Sequence, residues 1–391
     1  MSGCQKAPQV HVRVAERRKL DVELKGEFHV EKTGNVTRYT PLDAEARVIA
    51  KNVPIGIEFH WSQNAVFSLP GVVEVAEFED GTKNLDNFLD VETYLTSVIS
   101  SEMNPDAPLE FLKAHAVISR SWLMGKIYGA HPSASDAKIH TADTVIDWVD
   151  TGDHHGFDVC ADDHCQRYQG DARVNETARK AVEETRGIIL ADKTGNVADA
   201  RFSKCCGGRS ERFSTCWQPI DFDYLTPVDD PFCDLSKLSE GERRKVMDTI
   251  LVSYDRATQD FHEWEAEVEV SDIEKRLEQK YGFRTGRILD LQSGERGDSG
   301  RLRTLRIVAE NGVFTVGKEL AIRRLLSDSC LYSSWFDITR RGSRFHLTGH
   351  GWGHGVGLCQ IGAAVMALQG HDHRYILSFY YPNTQLLKKY E

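Results

Sequence analysis

Residues 349–360 run Gly-His-Gly-Trp-Gly-His-Gly-Val-Gly-Leu-Cys-Gln. Glycine adds backbone entropy and packs nothing, so a core does not alternate it with histidine and tryptophan; a site does. Ile361 to Leu368 are compatible with a helix that Gly370 stops, which makes the glycines a loop entering a helix. A phosphate cradle is one use of such a loop. No frame fits Gly-x-Gly-x-x-Gly, and the lysine of a P-loop is missing. His350 and His354 read as hydrogen-bond donors, as metal ligands or as satisfied structural groups, and Trp352 offers a flat apolar face.

Far upstream, Glu92, Tyr94, Leu95, Val98 and Ile99 lead into Ser-Glu-Met-Asn-Pro at 101–105. Phe111, Leu112, His115, Ala116, Ser119, Trp122 and Leu123 then recur at three and four residue intervals, one face of an amphipathic helix, with Pro108 suited to its first turn. Glu102 therefore belongs in or beside the turn ahead of a buried helix. Taken alone, it reads as a surface or capping carboxylate.

A third cluster is His154, His155, Cys160, His164 and Cys165. Two histidines and two cysteines have the ligand types of a tetrahedral zinc site, with the first ligand open between His155 and His154. A Cys160–Cys165 disulfide is the competing reading. The nine cysteines cannot all pair; Cys205 or Cys206 with Cys233, and Cys330 with Cys359, are the other candidate bridges.

Taken together, the segments resemble the stage II sporulation protein D family, also called the SpoIID/LytB or amidase-enhancer family. Ser-Glu-Met-Asn-Pro with Leu109, Glu110, Leu112, Lys113, Ala114, His115, Ala116, Val117, Ser119 and Arg120 resembles its Glu-Met-Pro, Glu-Ala-Leu-Lys-Ala-Gln-Ala-Val-x-x-Arg signature. The 349–360 run is similar to its C-terminal signature. Ala181, Val182, Thr185, Gly187, Ile188 and Leu190, then Gly207, Gly208 and Trp217, and finally Ile376 to Thr384 resemble further blocks. The likeness spans residues 85 to 391. It departs at His115, where the family has glutamine, and at Asn104, which separates methionine from proline.

The resemblance implies a peptidoglycan lytic transglycosylase with Glu102 as its single acid and base, and peptide-stripped glycan strands as its substrate. It implies substrate-binding roles for His350, Trp352, His354, Gln360 and Arg120, although Gln360 and Arg120 could equally be internal glue. Glu92 is a second-shell or substrate contact, or a solvated strand-end charge. A family member's comparable cluster supports a structural zinc on His155 (or His154), Cys160, His164 and Cys165. Two other functions stay open: a glycan-binding enhancer of a cell-wall amidase, which would not depend on Glu102, and a zinc-dependent hydrolase, which would need an open metal position beside Glu102.

The positioning elements follow from hydrophobic patterning. Alternation at Val10, Val12, Val14, then Leu20, Val22, Leu24, predicts a β-rich lobe over 8–80. Residues 85–391 form a mixed α/β core, and charge-dense helical spacing predicts a helical insertion over 236–280. The expected class is α+β, a β-rich N-terminal lobe packed on that core as one unit. The net charge is −11 with signs interspersed, which argues against nucleic-acid binding. No apolar run reaches transmembrane length. The family implies the cell envelope, yet no signal peptide leads the sequence, and a cytoplasmic enzyme acting on wall fragments stays open. Ser2-Gly3-Cys4 resembles the end of a lipoprotein cleavage box, with an ordinary tail cysteine as the alternative.

Overall fold

A computed structural model describes residues 6–56, 62–128, 137–149, 154–162, 165–251 and 262–391; Cys4 and His164 lie outside these. The class is α+β as expected. Among the described residues, eight strands precede the first helix. In Gln9–Arg17, Val10, Val12 and Val14 are buried and their neighbours are not, the period of two that the sequence announced. This strand and Lys83–Asp90 are neighbours in a six-stranded sheet, and Asp21–Lys25, Arg47–Ile55 and Gln63–Leu69 make a three-stranded one. The lobe is not closed at residue 80: Lys83–Asp90 lies inside the larger sheet, and Val159–Cys160 adds a parallel edge strand.

Asp90 ends that strand and caps the helix Val91–Glu102, its side chain accepting from the Glu92 and Thr93 amides. The next helix, Leu109–Ile127, has no side-chain cap at Pro108. It does not need one. A cap contributes about 1 kcal/mol, whereas each of Phe111, Leu112, Val117, Ile118 and Leu123, all fully buried, contributes about 1.5–3 kcal/mol. The helix is covered well beyond the predicted single face, because two helices and the strand Ile188–Ala191 pack on one side and Gln360–Leu368 and His373–Tyr380 on another.

Among the described residues there are two hydrophobic cores. The first joins the N-terminal strands, the helices just named and the C-terminal segment; the second comprises Val145 and residues between Trp264 and Leu347. The insertion expected over 236–280 is corrected by this division. Glu240–Ile250 is a helix in the first core, Glu263–Glu269 is a strand, and Val270–Tyr281 is a helix in the second core. The strand pairs with Arg344–His350, so β-pairing overrides the helical charge pattern there.

Candidate active site

Glu102 is the last residue of the helix Val91–Glu102, so it closes one helix and does not open the next. It is 8% exposed, and its Oε1 accepts a hydrogen bond from the Arg167 amide at 3.0 Å. Lys204 Nζ lies 3.3 Å from the Glu102 carbonyl oxygen. The carboxylate lines a cleft of about 370 Å³ together with Trp122, Trp148, Trp217, Trp352, His354 and Gln360. Arg167, Arg201, Lys204, Arg323 and Arg324 also line it, against the acids Glu102, Asp162 and Glu319. Several of these cations are held in place: Arg201 pairs with Asp199 at 2.7 Å and lies 4.4 Å over the Trp217 ring, and Arg323 pairs with Glu319 at 3.3 Å. Arg201 and Lys204 flank the short strand Phe202–Ser203 and Arg323 comes from the distant helix Glu319–Leu326, and no motif joins them, so they carried no signal in the sequence.

The glycine run is a loop that ends at Cys359, the cap of helix Gln360–Leu368. Gly351, Gly353, Gly355 and Gly357 all have φ between 73° and 88° or at 72°, the region glycine alone adopts freely. The support beneath it is Arg301, fully buried, which donates to the Gly353 and Cys206 carbonyls at 3.1 Å. A Cβ on Gly355 would sit 2.4 Å from the Arg301 guanidinium carbon. The sequence pointed to the loop but not to this arginine.

His354 is half-buried in the cleft wall. Its Nδ1 accepts from the Val356 amide at 3.0 Å, and its ring meets Trp217 edge-on at 4.9 Å. Burial, reinforced by Arg201, pushes its pKa down to about 3, so the ring is neutral. His350 does not line the cleft with it. Its ring lies tilted against Trp335 at 4.8 Å and groups with His262 and Glu263. Gln360 lines the cleft at 2% exposure, with its amide nitrogen 2.9 Å from His115 Nε2. His115 in turn reaches Ser119 at 3.2 Å, so the residue that departs from the family pattern ties two helices together. Burial holds its pKa down to about 3.

Two expected contacts are corrected by burial. Arg120 is fully buried and forks onto Glu92, at 2.6 and 3.0 Å, so it is internal structure and not a substrate contact. Glu92 is neither solvated nor at a strand end: it is 4% exposed in the first turn of a helix and also accepts from the Gly187 amide and the Tyr390 hydroxyl.

His154, Cys160 and Cys165 offer ligand atoms within 4.8 Å of one another, and His154 Nε2 lies 3.1 Å from Cys165 Sγ. His155 is exposed and stands outside the group, so of the two candidates for first ligand His154 is the one grouped with the cysteines. No disulfide joins Cys160 to Cys165, against that reading. Cys165 also lines the cleft. The Cys330–Cys359 pairing is not formed: Cys330 lies near Arg323, and Cys359 groups with Cys206 and Cys233.

A mixed α+β scaffold thus brings a carboxylate, an aromatic wall and part of the glycine loop into one cleft. Residues 79–191 match the family model described as Stage II sporulation protein, and residues 211–357 match a domain of unknown function, DUF8618. The chain is 29% identical over 301 residues to an uncharacterized protein of Brachyspira hyodysenteriae, covering 77% of this chain and 67% of the relative. It is 24% identical over 315 residues to the amidase enhancer of Bacillus subtilis, covering 75% of this chain but 40% of that protein. Over 70 residues it is 39% identical to stage II sporulation protein D of Bacillus subtilis, 18% of this chain and 20% of that one. The matched segment and these relatives support a likeness to the SpoIID/LytB family. Among the described residues no helix is long and apolar enough to cross a membrane.

Proposed function

We propose that the protein is a peptidoglycan lytic transglycosylase that cleaves glycan strands at the cell envelope with Glu102 as acid and then base. The observation that carries this reading is the placement of Glu102 in a cleft walled by tryptophans and lined with arginine and lysine. Flat aromatic faces suit sugar rings, and the cations suit a sugar bearing a carboxylate, which each muramic acid exposes once its peptide is removed. The protonated Glu102 gives its proton to the glycosidic oxygen as the C1–O bond breaks and the ring takes on oxocarbenium character. The resulting carboxylate accepts the proton of the muramic C6 hydroxyl while that oxygen bonds C1. The product is a 1,6-anhydro end; one proton leaves and one returns, and no water is consumed. The Arg167 amide fixes the carboxylate's orientation throughout.

Zinc belongs to this reading as a structural ion. His154, Cys160 and Cys165 fit it by ligand type and mutual distance and would hold it, with His164 beyond the described residues. Bound there, zinc supplies cross-linking of the loop beside the cleft. An enhancer role also has support, since one relative bears that name over 75% of this chain. Incubating purified protein with peptide-stripped and with peptide-bearing strands separates the readings. Release of soluble fragments from stripped strands alone supports the enzyme and its substrate class. Strand binding without release, together with stimulation of an added amidase, supports the enhancer.

A further inference from the structure

The cleft does not use a second group of cysteines, which lies behind the glycine loop in the first core. Cys206, Asp230, Cys233 and Cys359 offer four ligand atoms within 4.8 Å of one another, and all four residues are buried. Cys206 Sγ is 3.5 Å from Cys233 Sγ and 3.3 Å from Asp230 Oδ2. A tetrahedral zinc with Zn–S bonds of ~2.3 Å places its sulfurs about 3.8 Å apart and a sulfur and a carboxylate oxygen about 3.6 Å apart. A disulfide needs about 2.05 Å. The thiols therefore stand at the separation of ligands sharing one ion.

What surrounds the sulfurs is also suited to thiolates. The Gly208 amide donates to Cys233 Sγ at 3.1 Å, and the Cys206 and Gly362 amides donate to Cys359 Sγ at 3.3 and 3.4 Å. On the carboxylate, Tyr380 donates to Oδ2 at 2.8 Å and the Phe232 amide to Oδ1 at 2.9 Å, which orients it as an outer partner orients a ligand. The group gathers three thiols and a carboxyl in the core, with the His262 ring beside Cys233.

We propose that Cys206, Cys233, Cys359 and Asp230 form a closed structural zinc site, distinct from the His154 cluster. It ties the segment after Phe202–Ser203, the 230–233 turn and the cap of helix Gln360–Leu368 to one ion, and so fixes the base of the glycine loop. The site rests on ligand geometry and does not depend on the reaction assigned to Glu102. With four protein ligands it leaves no position for substrate.

The test starts from the full-length protein with Cys160→Ser and Cys165→Ser, which removes the other cluster. Elemental analysis is expected to find one zinc per chain, and cobalt exchanged into it is expected to show intense sulfur-to-metal charge transfer with tetrahedral visible bands. Adding Cys233→Ser and Cys359→Ser is expected to abolish both. Should that variant not fold, zinc release from the folded parent by a mercurial titrant, read with a zinc dye at three thiols per ion, supports the site on its own. Folded parent protein with no zinc, an iron chromophore with acid-labile sulfide, or a mass two hydrogens short per cysteine pair would each overturn it.

Discussion

At the scale of single residues, two carboxylates ten positions apart have opposite fates. Glu102 reaches the cleft, whereas Glu92 turns inward to Arg120, and their helix makes the difference. Glu102→Gln keeps an oxygen for the Arg167 amide and cannot give a proton, so glycan cleavage should fall at least ~100-fold. The melting temperature should stay within a few degrees of wild type, and calorimetry checks that. Arg120→Ala leaves Glu92 buried without its cation and should cost about 3–5 kcal/mol in urea unfolding. An unchanged midpoint would contradict the internal role. The residue types of Glu102, Trp352 and the His154 cluster were legible because they recur in short motifs. Arg201, Lys204 and Arg301 were not, because long-range contacts alone give them their tasks, and His350, the last residue of strand Arg344–His350, is not among the residues that line the cleft.

At the scale of elements, the glycine loop and its helix carry the site. Gly357 has φ of 72° and an added Cβ would lie 2.0 Å from the Arg201 carbonyl oxygen. Gly357→Ala should destabilise by more than about 2 kcal/mol and weaken strand binding, measured by unfolding and by sedimentation with insoluble glycan. His115 and His354, both held neutral down to about 3, give the fold a pH dependence. Between pH 6.5 and 3 the unfolded chain binds protons that the folded one does not, so stability falls as pH drops through that window. The slope is at most ~1.4 kcal/mol per pH unit for each histidine. His115→Gln should flatten it between pH 4 and 6, and an equal slope in the variant would contradict the assignment. Short strands with strict alternation were readable in advance. Glu263–Glu269 alternates as strictly, with Trp264 and Val268 buried, and was missed because the charge-dense stretch around it was read as helical throughout.

At the scale of the whole molecule, two hydrophobic cores meet beneath the loop. Arg301 reaches Cys206 and Gly353, Trp264 Nε1 donates to the Gly351 carbonyl at 3.0 Å, and the buried Glu211 accepts from Ser299 Oγ at 2.6 Å. These contacts cross between the cores through buried polar groups, which are costly to leave unsatisfied. The cores should therefore unfold in one calorimetric transition, and two resolved peaks would contradict that coupling. Contacts from both sides thus hold the loop.

The central claim is the reaction at Glu102. Its most direct test is high-resolution mass spectrometry of glycan fragments made from peptide-stripped strands by the wild-type protein and by Glu102→Gln. Products of the wild type should carry 1,6-anhydromuramic ends, lighter by one water than hydrolytic fragments, and the variant should make none. Reducing ends in the wild-type digest, or anhydro ends that persist in the variant, would contradict the account.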